Sequence, residues 1–334
     1  MKKYFVTFCS ACLSLLMLQS CITNGDNPST PSTPTANALE EILTIEGATY
    51  HEGAMPAATT TDQITGVNFN ARALQGGSNF VTINSDVTYT KFYVSIKGVP
   101  GYYEYVPTAT TRASIYYVIP LLFAETYNDN TTFYVSGEEE DGDITEPYEG
   151  EISFEDTQIG DLNVTLTFDQ LKDVDLHLYT PSGNHIYYAA RGGSYTLTDG
   201  STVSYGLDHD SNAACNIDGL NNENIFIPAE LIEAGTYTVV VDMYSNCAPQ
   251  NAPTNWSVIV RYQGQAIVPT FGANPVSGTY ATNCGNGDMT TVMKFQLTAP
   301  AAARGAAKVI TNSFVATPTS DLDMVKAIDA GWIK

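Results

Sequence analysis

Residues 160–178 read GDLNVTLTFDQLKDVDLHL. Val164, Leu166 and Phe168 alternate with Asn163, Thr165 and Thr167. Val174, Leu176 and Leu178 then repeat the pattern against Asp173, Asp175 and His177. A period of two residues puts successive side chains on opposite sides of a strand, so each run predicts a strand with one apolar and one polar face. Further along, Gly235-Thr236-Tyr237-Thr238 opens a strand ending at Val241, and Trp256 to Tyr262 forms another. The upstream sequence has the same texture: TYTKFYVSI at 88–96, and TTFYVS at 131–136 running into an acidic turn, Glu138 to Asp143, read as a solvated hairpin tip. IYYVIPLL at 115–122 fits less well, because Pro120 has no N–H to give to a ladder and implies an edge or an end. Short Val/Thr/Tyr/Ile runs punctuated by Gly, Asn, Asp and Pro give an all-β class. The expected architecture is two β-sandwich domains, an immunoglobulin-like one over 37–150 and a second over 151–299. A tail follows over 300–334. There Ser320 caps a short helix whose Leu322, Val325, Ile328 and Trp332 share a face, to dock on its own sandwich or on a partner.

The N-terminus supplies an address. Lys2 and Lys3 precede the apolar run Tyr4–Leu18, and Leu18-Gln19-Ser20 leads into Cys21. This is the layout of a secretory signal peptide over 1–20, and its end resembles a lipobox. Cys21 is then the lipid attachment point, its thiol carrying diacylglycerol as part of a palmitate-type anchor, unless an ordinary signal is cleaved nearby. Ile22 in place of Asp points to an outer-membrane lipoprotein, facing the periplasm or the cell surface. Residues 21–36 are Pro/Ser/Thr-rich and read as an extended tether. The chain has 36 acidic against 14 basic residues and a formal net charge of −22, and losing Lys2 and Lys3 with the leader makes it more acidic still. Such a surface repels nucleic acid and suits divalent cations. Beyond the leader and Cys21, Cys215, Cys247 and Cys284 remain. In an oxidising compartment two can pair, and Cys215 with Cys247 is the expected disulfide.

Two acidic clusters carry the chemistry. On a strand, Asp173, Asp175 and His177 project together, and like charges that close repel unless a cation lies between them. Residues 207–225, LDHDSNAACNIDGLNNENI, then offer Asp208, Asp210, Asn212, Asp218 and Glu223, with Gly219 permitting a sharp turn. Oxygen ligands at this density suit a hard ion such as Ca2+. Asp208, Asp210 and Asn212 match the opening of a calcium loop, but Ala213 stands where its glycine belongs and Gly219 where its glutamate belongs, so this is not an EF-hand. Asn and Asp bonding their own backbone to turn a long loop is the competing reading. A transition-metal site using His177 and His209 is a third, although either histidine is ordinarily a surface residue.

Four segments, GDLNVTLTFDQLKDVDLHLYTPSGNHIYY, LDHDSNAACNIDGLNNENIFIP, AGTYTVVVDMYSNC and TNWSVIVRYQG, resemble in order the YfaP-like domain of bacterial exported proteins, over about 160–264. They are more distantly similar to the pre-peptidase C-terminal domains, jelly-roll-like sandwiches with a D-x-D-L strand and a later Glu before G-T-Y. In several of those, acidic residues bind calcium. The resemblance therefore implies a sandwich and favours Asp173, Asp175 and Glu223 as ligands.

The sequence holds no GxSxG, HExxH or glycine-rich phosphate loop. Asp173 and Asp175, neighbours on one strand, lack the separation across a cleft that glycoside hydrolysis uses. The expectation is a non-catalytic binding or accessory module, or a structural spacer, rather than a hydrolase. Tyr102, Tyr103, Tyr105, Tyr116 and Tyr117 could stack on a glycan, and an envelope or host protein is the other candidate partner. Ordinary strand packing also accounts for these tyrosines.

Overall fold

The computed structural model describes residues 38–107, 115–158, 160–247, 252–282 and 284–298. The signal segment, Cys21, the tether and the C-terminal helical tail lie outside them. The first part holds a helical turn, α1 (Leu39–Ile42), and strands β1 (Leu43–Thr44), β2 (Ala48–His51), β3 (Val67–Asn68), β4 (Arg72–Leu74), β5 (Ser78–Ser85), β6 (Tyr89–Ile96), β7 (Tyr102–Tyr105), β8 (Ile115–Phe123), β9 (Thr131–Glu139) and β10 (Tyr148–Glu155). They form a four-stranded sheet, β1-β8-β5-β3, and a six-stranded sheet, β2-β7-β6-β9-β10-β4. Phe92, Val94, Ile119, Leu121, Phe133 and Val135 fill the core between them. Pro120 is tolerated because β1 pairs only with Leu122 and Phe123, leaving β5 as the one neighbour at the proline.

The second part runs through β11 (Leu162–Phe168), β12 (Asp173–Tyr179), β13 (His185–Ile186), β14 (Gly192–Thr196), β15 (Thr202–His209), β16 (Asn222–Ile227), β17 (Gly235–Ser245), β18 (Thr254–Tyr262), β19 (Gln265–Ala266), β20 (Val276–Tyr280) and β21 (Asp288–Leu297). One sheet orders β14-β15-β16-β11-β18-β19, with β20 also on β18, and the other orders β13-β12-β17-β21. The molecule is all-β. Among the described residues, no helix is long and apolar enough to cross a membrane.

The two quoted strands lie in opposite sheets. Val164, Leu166 and Phe168 on β11 and Val174, Leu176 and Leu178 on β12 are fully buried in one core with Tyr237, Val241, Val260 and Phe295. The structure departs from the alternation in one respect: the polar faces are buried as well. On β11 the cover is the first sandwich. The Thr167 hydroxyl donates to Ser78 O (3.2 Å), Asn70 Nδ2 donates to Phe168 O (2.8 Å), and Arg261 of β18 donates to Gly76 O and to Phe123 O, the latter at 2.8 Å. Asp169 accepts from Asn255 Nδ2 (2.6 Å) and the Tyr116 hydroxyl (3.3 Å). Polar side chains survive burial only when so paired, and here the pairing is a hydrogen-bonded seam between the sandwiches.

Candidate metal centre

The polar face of β12 is buried for a different reason. β13 pairs only with Leu178 and Tyr179, which leaves the first half of β12 as a sheet edge on that side. Glu223, opposite Leu166 on β16, points toward the core and reaches this edge, where Leu176 N donates to its Oε2 (2.6 Å). Asp175, Asp210 and Glu223 thereby bring one carboxylate oxygen each to within 4.8 Å of one another. Asp173, Asp175 and Glu223 are 1%, 2% and 1% exposed, and the Asp210 side chain is 10% exposed.

Each of these carboxylates retains an oxygen with no hydrogen-bond partner: both of Asp173, Oδ2 of Asp175, Oδ1 of Asp210 and Oε1 of Glu223. The Arg191 guanidinium donates to Asp210 Oδ2 at 3.3 Å from a half-exposed position, one cation against four acids. Burial raises the Asp173 carboxyl to about 6. The Ala214 and Cys215 amides pull the other way without closing a hydrogen bond to it. Burial and then the neighbouring carboxylates push Asp175 and Glu223 upward, and Asp210 also lies above the ordinary range, chiefly from burial. Buried like charges resolve by taking up protons or by sharing a cation.

The remaining sequence candidates have other work. Asp208 accepts from Gln158 N (2.6 Å) and Asn224 Nδ2 (2.9 Å). Asp218 accepts from the Ser211 hydroxyl (2.7 Å) and Leu220 N (2.8 Å), and Asp218 N donates to Asn212 Oδ1 (3.0 Å). Asn212 Nδ2 donates to Lys172 O and to Asn221 Oδ1. These three residues shape the loop through backbone and side-chain bonds, as Asx residues do in turns, while Asp210 alone of the loop acids turns into the cluster. Gly219 supports the turn with φ +74°, a left-handed conformation that glycine adopts without strain. Cys215 and Cys247 are joined by a disulfide, with Cα atoms 5.4 Å apart, and Cys284 is free.

The alternative of a transition-metal site joining His177 to His209 does not form. His209 faces Asp208 at 3.4 Å, and among the described residues no group of three or more ligating side chains joins it to His177. His177 is no surface residue either, being 3% exposed. It meets Asp175 and Asp242 in a second three-residue group within 4.8 Å. The sequence pattern ends the strand from Gly235 at Val241 and so leaves out Asp242, whereas β17 runs to Ser245. The place of Asp242 opposite Asp175 in the β12–β17 register is a long-range pairing that one sequence does not display. The five tyrosines are engaged in packing. Tyr103 and Tyr117 are buried, Tyr102 stacks on His51 at 4.9 Å, and Tyr105 and Tyr116 donate their hydroxyls to Val118 O and Asp169.

No protein-family model and no curated protein matches the chain. Among solved structures it is similar to SGBP-B of the Bacteroides ovatus mixed-linkage glucan utilization locus, in complex with a mixed-linkage heptasaccharide, at 13% identity. The match covers 73% of this chain and 64% of that one, with a TM-score of 0.17, at which the likeness bears on neither fold nor ligand.

Proposed function

We propose that the protein is a non-catalytic binding or accessory module of the bacterial envelope, tethered by a lipid at Cys21, whose second sandwich is held by a bound Ca2+. The observation that carries the calcium reading is the convergence of Asp175, Asp210 and Glu223 within 4.8 Å, beside Asp173, each with an unpartnered oxygen. An all-oxygen, multiply anionic set is what a hard cation of calcium's size takes as ligands. The D-x-D-L strand and later Glu by which the chain resembles pre-peptidase C-terminal domains imply three of these residues, Asp173, Asp175 and Glu223. The low exposure argues for a structural ion: carboxylates this buried offer a substrate no access, and their closeness leaves no room for the flanking geometry of glycoside hydrolysis. An ion here fastens the edge of β12 to the loop before β16. That loop is tied through Asn212 and Asn221 to Asn70 of the first sandwich, so the ion braces the junction.

Calorimetric titration of the chelator-treated protein with Ca2+ tests this reading. We expect saturable uptake and a melting temperature several degrees higher in Ca2+ than in EGTA, since a ligand specific for the native state adds stability. Identical melting in the two buffers, with no heat of binding, would sink it.

A further inference from the structure

We propose that the outer face of the β12–β17 pair carries a second cation site, for a first-row transition ion such as Zn2+, built from Asp175, His177 and Asp242. Asp175 and Asp242 are opposite one another in the ladder, and His177 lies two residues along β12 on the same face. All three are at most 5% exposed, and their ligand atoms fall within 4.8 Å of each other.

The imidazole is the independent observation. His177 Nδ1 is 2.9 Å from His185 Nε2, while His177 Nε2 is buried and has no partner. His185 is itself fixed between the rings of Tyr179 (4.2 Å) and Tyr187 (3.9 Å). If Nδ1–H of His177 donates to His185, Nε2 keeps a buried lone pair with no donor to fill it, in a residue grouped with the carboxylates of Asp175 and Asp242, and a cation would satisfy both. If His185 is the donor instead, Nε2–H is a buried donor without an acceptor. The first tautomer leaves Nε2 free to bind a metal, and it is the arrangement by which ligating histidines are ordinarily oriented. A cleft of about 250 Å³ lined by His177, Tyr187, Tyr188, Asp242, Tyr244 and Met289 gives an ion a way in and room for water ligands.

The donor set separates this site from the calcium site. Imidazole nitrogen with two carboxylates suits zinc and its neighbours, whereas the Asp210–Glu223 side offers oxygen alone. Asp175 belongs to both groups. The two readings share Asp175, and the test separates them through His177 and Glu223, each of which belongs to one group alone.

Protein saturated with Ca2+ is titrated with Zn2+ by calorimetry, and with Co2+ followed by its visible absorption. We expect one further ion to bind and the Co2+ bands of a site containing nitrogen. His177→Gln should abolish both signals and leave the Ca2+ dependence of melting in place. Glu223→Gln should do the reverse, and His209→Gln should change neither. His185→Phe should weaken Zn2+ about 10- to 100-fold by releasing the ligand ring. As a measurement that needs no variant, the His177 ring nitrogen resonance of the native protein should shift on adding Zn2+. Absence of Zn2+ uptake by the native protein, an unmoved His177 resonance, or Co2+ bands unchanged in His177→Gln would overturn the proposal.

Discussion

At the scale of single residues, Glu223 is the most informative position. It is fully enclosed, one oxygen accepts from Leu176 N, and the other faces the acidic cluster. Its carboxyl lies well above its ordinary range because burial and Asp175 both disfavour the charge. Without a cation the native protein is driven toward taking up a proton there, and holding the charge costs folding free energy. Gln has the same shape and retains an acceptor for Leu176 N but requires no proton. Glu223→Gln should therefore stabilise the chelated protein at pH 7, by about 1–3 kcal/mol, while removing the gain from Ca2+. Urea unfolding with and without Ca2+ measures both effects, and a variant less stable than the native chain in EGTA would contradict the argument. Asp173 and Asp175 were legible as a pair because strand periodicity alone puts them on one face. Their depth was not legible: nothing local says that a sheet edge, a loop acid and a facing strand will close over them. Asp208 and Asp218 show the converse, since composition does not distinguish an oxygen that caps a turn from one that awaits an ion.

At the scale of elements, the loop between β15 and β16 is fastened at both ends of its acidic stretch. Asn212, Ala214, Cys215 and Asn221 all have positive φ, and Ala214 and Cys215 turn their amides toward Asp173. The Cys215–Cys247 disulfide ties this turn to the end of β17, closing 32 residues of sequence separation. Loop-closure entropy for that length is about 3–4 kcal/mol. The double variant Cys215→Ser/Cys247→Ser should lose roughly that stability in denaturant, and because the turn positions Asp210 and faces Asp173, its Ca2+ affinity should fall as well. Calorimetric affinity equal to the native protein's would show that the turn holds its shape unaided. The strands themselves were readable wherever apolar residues alternate, as on β11 and β12. The end of β17 was misplaced because Asp242 interrupts the apolar run Val239–Val241, and a charge there reads as a strand end until its partner Asp175 is seen across the ladder.

At the scale of the whole molecule, an all-β class follows from composition and periodicity, because those set each strand's faces. The seam between the sandwiches does not, because it is made of polar residues, Asn70, Asp169, Asn221 and Arg261, that resemble ordinary surface until they meet. The site lies beside that seam, so its protonation acts on the stability of the assembled pair. Asp173, Asp175, Asp210 and Glu223 all have native carboxyls raised above their unfolded values. A raised carboxyl contributes stability that is complete below the unfolded value of about 4 and is lost as pH rises through the native one, about 6 for Asp173, with Glu223 also raised. In EGTA these groups therefore destabilise the protein progressively as pH increases. His177 and His185, held neutral by burial, act oppositely below about 6.5, where the unfolded chain takes up their protons. Calcium changes only the carboxylate part, since it binds the ionised form and competes with its protons. Subtracting the melting temperature in EGTA from that in Ca2+ at each pH cancels the histidine contribution and isolates the site. The difference should be small near pH 4.5 and grow steadily toward pH 8. A difference independent of pH over that interval would mean that the ion binds somewhere other than among these acids.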